Sequence, residues 1–173
     1  RGLFNRASAK IQVERTGRRD VDHEFGTNPC SEIILRDREF CNLSEVVIRE
    51  SDNLETLKSK VRIATILGTF QSTLTNFRYL SKKWKENCEE ERLLGVSLTG
   101  IMDNNLTNGK ADEAWRNDSL RGYVNTKMVL ETLKNVAIET NKEWAEKIGV
   151  PQSVSVTCVK PSGTVSQLVD AAS

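Results

Sequence analysis

The chain has 173 residues, a length that fits one domain. Its 25 Lys and Arg stand against 24 Asp and Glu, so the net charge of +1 implies no polyelectrolyte partner and nucleic-acid binding is not expected. No apolar run approaches the roughly 20 residues of a membrane helix, and no signal peptide opens the chain, so a membrane partner is not expected either.

Residues 1–27 are polar and punctuated by Gly2, Gly17 and Gly26. Within them Lys10-Ile11-Gln12-Val13-Glu14 alternates polar and apolar and reads as a short strand. His23, between Asp22 and Glu24, reads as a solvated loop residue. The next stretch, Asn28-Pro29-Cys30-Ser31-Glu32-Ile33, places an amide, a thiol and a carboxylate at alternate positions. In an extended segment Asn28, Cys30 and Glu32 would point to one side. Together they offer a hydrogen-bonding amide, a sulfur and a proton acceptor. Residues 33–40 then read as apolar strand, charged turn and strand restart, a hairpin-like return that would bring Cys41 back beside Cys30. The Val and Ile content of residues 41–48 favours a strand.

Residues 53–76 form the first predicted long helix, with Asn53 as N-cap. Leu54, Leu57, Val61, Ala64, Leu67, Phe70, Leu74 and Phe77 step by three or four, which predicts one core-facing stripe. Residues 81–92 carry charges of both signs and read as a solvated face, with Cys88 incidental to it. Residues 93–103 read as a buried strand whose Gly95 and Gly100 mark a close approach of backbone or ligand. A second long helix is predicted over residues 120–148, with Leu130, Leu133, Ala137, Trp144 and Ile148 on its apolar face and Gly149 and Pro151 ending it. Residues 153–159 alternate β-branched residues as a strand and carry Cys158, read as a small buried hydrophobe. The strand runs into Lys160-Pro161-Ser162-Gly163-Thr164 and a helix start. Free backbone N–H groups and hydroxyls there make either an anion site or an ordinary capped turn. The G-K-[ST] ending of a Walker A loop is absent.

The alternation of strands and helices argues for a parallel α/β fold with right-handed crossovers. Function then belongs in the loops at strand ends. The four cysteines form no C-x-x-C pair and His23 is the sole histidine, so reduced thiols in a cytoplasmic protein are expected rather than a zinc site or a disulfide framework. The chain begins without Met and stops just after a predicted helix start, which reads as an internal slice, residues 1–173, of a longer protein, with no domain boundary inside it.

Four pieces in order, Asn28-Pro29-Cys30-Ser31-Glu32-Ile33, Cys41-Asn42-Leu43, Leu94-Gly95-Val96-Ser97-Leu98-Thr99-Gly100-Ile101-Met102-Asp103 and Lys160-Pro161-Ser162-Gly163-Thr164-Val165-Ser166, resemble the large catalytic chain of ribonucleotide reductases. Pro29 and the short spacing from Cys30 to Cys41 look like the adenosylcobalamin-dependent class II enzymes rather than the di-iron class I chains. The resemblance implies a ten-stranded α/β barrel with a central finger loop carrying Cys30 as the radical cysteine. It also implies that Glu32 is the general base, that Asn28 holds substrate hydroxyls, and that Cys41 supplies electrons with a second cysteine upstream. Pro161, Ser162, Gly163 and Thr164 would bind phosphate of a ribonucleoside di- or triphosphate, and a thioredoxin-like protein or a dithiol would re-reduce the site. Most cobalamin contacts would lie outside these residues, so the chain alone is expected to be inactive. The competing readings are a class I chain and a non-catalytic nucleotide-phosphate-binding α/β module.

Overall fold

The computed structural model describes residues 3–110 and 125–172. The first element is a helix, α1 (Arg6–Thr16), where the alternation of residues 10–14 had suggested a strand. Its ends explain the difference. The Asn5 side chain accepts from the Ser8 backbone N–H at 3.1 Å, and Gly17 closes the helix in the left-handed conformation. Ala9 and Val13, one turn apart, are the buried pair, while Ile11 between them is exposed. They pack with Phe25, Val21 and Ile34 in a small core.

Strands β1 (Phe25–Thr27) and β2 (Ile34–Arg36) form an antiparallel hairpin, with Phe25 opposite Arg36 and Thr27 opposite Ile34. The hairpin is therefore closed by residues 28–33, and the return from Cys30 to Cys41 is not one, because β2 and the next strand belong to different sheets. Strand β3 (Asn42–Val47) lies parallel to β4 (Leu94–Thr99), from Asn42 opposite Leu94 to Val47 opposite Thr99. On the other side of β4, Thr157 makes a parallel bridge to Val96, and the Val96 N–H donates to the Val156 carbonyl at 2.9 Å. Helices α2 (Leu54–Gln71) and α3 (Lys82–Glu91) connect β3 to β4. Helix α4 (Thr126–Ile148) precedes a third lane, residues 155–158, which hydrogen-bonds along β4 through a single isolated bridge rather than forming the strand expected over residues 153–159. Parallel neighbours joined through helices make this an α/β fold, as expected. The described residues form two two-stranded sheets and no closed barrel.

One face of the parallel lanes, with Val46, Leu94, Val96 and Val156, packs on Leu57, Val61 and Ala64 of α2 and on Val129, Leu133 and Ala137 of α4. Alternation along β4 turns Gly95 and Ser97 to the opposite face. The stripe expected on α2 is only half realised. Its seam continues through Thr65, Gly68 and Thr69, so Leu67, Phe70 and Leu74 turn outward at 62%, 44% and 72% exposure. Helix α3 is not simply solvated: Asn87, Cys88 and Glu91 are buried, as is Arg92 just after it. The Cys88 sulfur accepts from the Phe40 N–H at 3.3 Å.

The strand expected over residues 93–103 stops at Thr99. Gly100 then adopts φ 77°, and a Cβ there would collide with the Ile48 carbonyl oxygen, so only glycine fits. In α4, Asn125 caps the start and Gly149 ends the helix in the left-handed conformation, with the Val150 N–H returning to the Ala145 carbonyl at 3.0 Å. Leu133 and Ala137 are buried, whereas Leu130 is 41% exposed. The proposed helical residues 120–124 lie outside the described residues. A short helix, α5 (Gly163–Leu168), follows the third lane. No helix among the described residues is long and apolar enough to cross a membrane.

Candidate active site

Residues 28–33 are a tight turn rather than the extended run that alternation suggested. The Asn28 side-chain oxygen accepts from the Ile33 N–H at 3.1 Å, and the Asn28 carbonyl accepts from the Ser31 N–H at 3.0 Å. Ser31 takes a positive φ of 65°. The turn sends the two reactive groups to different depths. Cys30 is an exposed free thiol at the tip, while the Glu32 side chain is only 5% exposed. Asn28 thus serves first as the internal brace of the turn.

Lys160, which the sequence reading left without a role, joins this turn to the third lane. Its backbone N–H donates to Ser97 Oγ of β4 at 2.9 Å. Its Nζ donates to Glu32 Oε1 at 3.1 Å and lies 3.7 Å from Cys30 Sγ. Burial pushes the Glu32 carboxyl up, but its own backbone N–H and the nearby Lys160 and Asn28 side chains outweigh this and hold it below the usual carboxylate range. Glu32 Oε2 makes no hydrogen bond among the described residues, so an ionised carboxylate keeps one oxygen free to accept. The signal for Lys160 was its position at the strand end directly before Pro161.

The other thiols meet across Gly95. A Cβ at Gly95 would lie 2.6 Å from Leu43 Cδ2 and 3.1 Å from both Cys41 Sγ and Cys158 Sγ, so the bare glycine makes room for two sulfurs. Cys158 is half-buried beside Cys41 rather than simply a buried hydrophobe. Burial, with the neighbouring Cys158, pushes the Cys41 thiol well above its ordinary value. Burial, with Glu32 nearby, pushes Cys158 to about 11. Both therefore stay protonated at neutral pH, as neutral S–H groups rather than thiolates.

The loop at residues 161–164 opens α5. Pro161, Gly163 and Thr164 are exposed, whereas Ser162 is 8% exposed and its buried hydroxyl has no hydrogen-bond partner among the described residues. Its side chain does not cap the helix, which disfavours the ordinary capped turn and leaves the hydroxyl free for another acceptor or donor.

Behind the turn lies a buried ionic cluster that the sequence did not reveal. Arg19 and Arg36, with side chains 4% and 5% exposed, face Glu39 and Glu91 at 0% and 3%. Arg19 contacts Glu91 at 2.5 Å and Glu39 at 3.4 Å, and donates to the Ile34 carbonyl at 2.8 Å. Arg36 reaches Glu90 at 3.0 Å and His23 Nε2 at 2.7 Å. A guanidinium can only donate, so Nε2 accepts, and His23 is part of the cluster rather than a solvated loop residue. Burial, with Glu91 beside it, raises the Glu39 carboxyl to about 8. The cluster ties the hairpin to α3. A cavity of about 180 Å³, lined by Arg18, Arg19, Glu32, Lys134 and Cys158 among others, separates α1 and the hairpin from α4 and the third lane.

Residues 20–171 match the family model of the ribonucleotide reductase barrel domain. The adenosylcobalamin-dependent ribonucleoside-triphosphate reductase of Lactobacillus acidophilus is 31% identical over 160 residues, covering 85% of this chain and 21% of that protein. The enzyme of the same name from Lactobacillus leichmannii is 27% identical over 160 residues, covering 84% and 21%. The chain thus spans about a fifth of the length of these relatives. A crystal structure of a B12-dependent (class II) ribonucleotide reductase shares the fold with a TM-score of 0.60 and 22% identity, over 87% of this chain and 22% of that one. With most of its length matched by that model, this chain belongs to the ribonucleotide reductase family, within its barrel domain.

Proposed function

We propose that the protein to which this chain belongs reduces ribonucleotides to 2′-deoxyribonucleotides by thiyl-radical chemistry, with adenosylcobalamin as radical source. The names of the relatives support the cofactor and favour a triphosphate substrate. In this reading residues 1–173 are a slice of a ten-stranded α/β barrel, and residues 28–33 are its central finger loop. The observation that carries the reading is an exposed free thiol, Cys30, on the same turn as the carboxylate of Glu32.

An exposed thiol at a loop tip fits a radical-generating cofactor, because it is reachable from outside the turn. Adenosylcobalamin, when bound, supplies the radical that takes the hydrogen atom of Cys30. Cys30 is the residue of this chain that meets that chemistry, and most of the binding surface would lie outside these residues. The Cys30 thiyl then removes the 3′-hydrogen of the ribose. Glu32 accepts the 3′-OH proton through its carboxylate. Asn28 steadies the substrate hydroxyls. The 2′-OH leaves as water, Cys41 with a second cysteine beyond these residues gives two electrons and two protons, forming a disulfide, and Glu32 returns its proton to O3′ while Cys30 returns its hydrogen to C3′ and is left as the thiyl. A thioredoxin-like protein or a dithiol restores the thiols, and the four free cysteines fit such a reducing, cytoplasmic setting. Pro161, Ser162, Gly163 and Thr164 hold substrate phosphate, Ser162 through its unpartnered hydroxyl.

The test is ribonucleotide reduction by the full-length protein with a dithiol, with and without adenosylcobalamin. Strict dependence on the cofactor is expected, and residues 1–173 alone should be inactive. Activity only with a separate di-iron subunit would replace the cofactor assignment. Nucleotide binding without reduction under either condition would leave a phosphate-binding module and remove the roles of Cys30, Glu32 and Cys41.

A further inference from the structure

Resting on that reaction, we infer that Lys160 is the positioning residue that locks the Cys30 turn to the phosphate loop and keeps the Glu32 carboxylate available as proton acceptor. Three contacts converge on this one residue. Its backbone is held by Ser97 of β4, its ammonium by Glu32, and the same ammonium approaches the Cys30 sulfur. The next residue, Pro161, begins the loop assigned to phosphate. Lys160 therefore sits between the two halves of the site, and any shift of the phosphate loop reaches the radical thiol through it.

The ammonium suits this place. It is a compact charge with three rotatable donors, two of which are aimed at chemically different partners, an oxygen and a sulfur. Burial pushes the Glu32 carboxyl toward the protonated acid, which cannot accept a proton, and the Lys160 ammonium opposes this together with the turn's own backbone N–H and Asn28. The other titratable groups around it do not replace the cation. Cys30 shares its turn, and Cys41 and Cys158, from β3's approach and the third lane, are neutral thiols. Arg18 and Arg19 from the segment after α1 and Lys134 from α4 line the cavity it borders. Of these cations, Arg19 is engaged by Glu91 and Glu39, and Lys160 is the one in contact with the carboxylate.

An ion pair with no part in the chemistry would affect stability and leave the pH profile of the reaction unmoved. The two roles separate in the pH profile. In the full-length holoenzyme, kcat/KM for ribonucleotide reduction is measured between about pH 5 and pH 9 for wild type, Lys160→Met, Lys160→Gln and Lys160→Arg, with substrate binding measured by equilibrium dialysis. Removal of the charge should move the acid limb up by about one pH unit or more, the shift an adjacent opposite charge produces. It should lower kcat about tenfold or more while changing nucleotide affinity far less, and Lys160→Arg should return the limb most of the way. Lys160→Gln keeps a donor without the charge, so it gives the same answer should Lys160→Met fold poorly. An acid limb unmoved in the uncharged variants of an active enzyme overturns the inference alone. A wild-type enzyme with no reductive activity overturns the reaction and the inference with it.

Discussion

Glu32 and Glu39 flank the same short strand, and both side chains are almost wholly buried, at 5% and 0% exposure. Each has a cation within reach, yet their carboxyl groups move in opposite directions: Glu32 is held low and Glu39 is raised to about 8. Their neighbours account for this. Glu32 has Lys160, itself 29% exposed, and no carboxylate among the groups that shift it. Glu39 has two arginines but also Glu91, which shares those same arginines and crowds it with like charge. Burial pushes both carboxyls up, more strongly at the deeper Glu39, where the like charge of Glu91 adds to it; at Glu32 the backbone N–H, Lys160 and Asn28 outweigh it. In the proposed reaction one carboxyl, Glu32, serves chemistry at the hairpin tip, while Glu39 belongs to the buried ionic cluster behind it.

The comparison is broken most sharply by exchanging each carboxyl or its partner. Glu32→Gln should lower kcat on the order of 10²- to 10⁴-fold, as loss of a general base does, while stability falls less than in Arg36→Met, because the amide keeps the shape and an acceptor oxygen for Lys160. Steady-state kinetics with urea unfolding checks both; a destabilised but fully active variant would make Glu32 structural. Arg36→Met should do the reverse. It leaves the Glu39 and Glu91 charges short of a partner and should cost about 3–5 kcal/mol. The loss should be greater near pH 9 than near pH 6, because Glu39 can hold a proton below about 8.

A smaller effect is the pH dependence of stability, where the two groups oppose one another. Glu39 has a folded value raised from 4.5 to about 8, so its contribution is present below the unfolded value and is lost as pH rises through about 8. Glu32 has a lowered folded value, so its contribution is present above the unfolded value and is lost as pH falls through the folded one. Unfolding of Glu39→Gln should therefore lose the decline between about pH 4.5 and pH 8, and an unchanged slope in that window would remove Glu39 as its source.

The candidate site was more legible than its support. Asn28, Cys30, Glu32 and residues 161–164 stood out because their residue types cluster along short stretches of chain. Their conformation did not: period-two spacing suggested an extended run, whereas Pro29 and a left-handed Ser31 make a turn. Helix α1 hid for a similar reason. With only Ala9 and Val13 buried, Ile11 and Val13 mimic strand alternation, and the Asn5 and Gly17 caps carry the helix signal. The ionic cluster was illegible because its partners are far apart in sequence, Arg19 and Glu91 by 72 positions, while the local charge pattern of residues 81–92 looks solvated. Lys160 escaped because a lysine at a strand end has no local mark of its partners on a distant turn.

The most direct test of the account follows the 3′-hydrogen of the substrate. With full-length holoenzyme and ribonucleotide tritiated at C3′, release of tritium to solvent is compared for wild type and Cys30→Ser, with nucleotide binding measured in both. The account predicts release by the wild type and none above background from Cys30→Ser, with binding retained. Release from Cys30→Ser at a rate comparable to wild type would contradict it, and would move the radical to another residue.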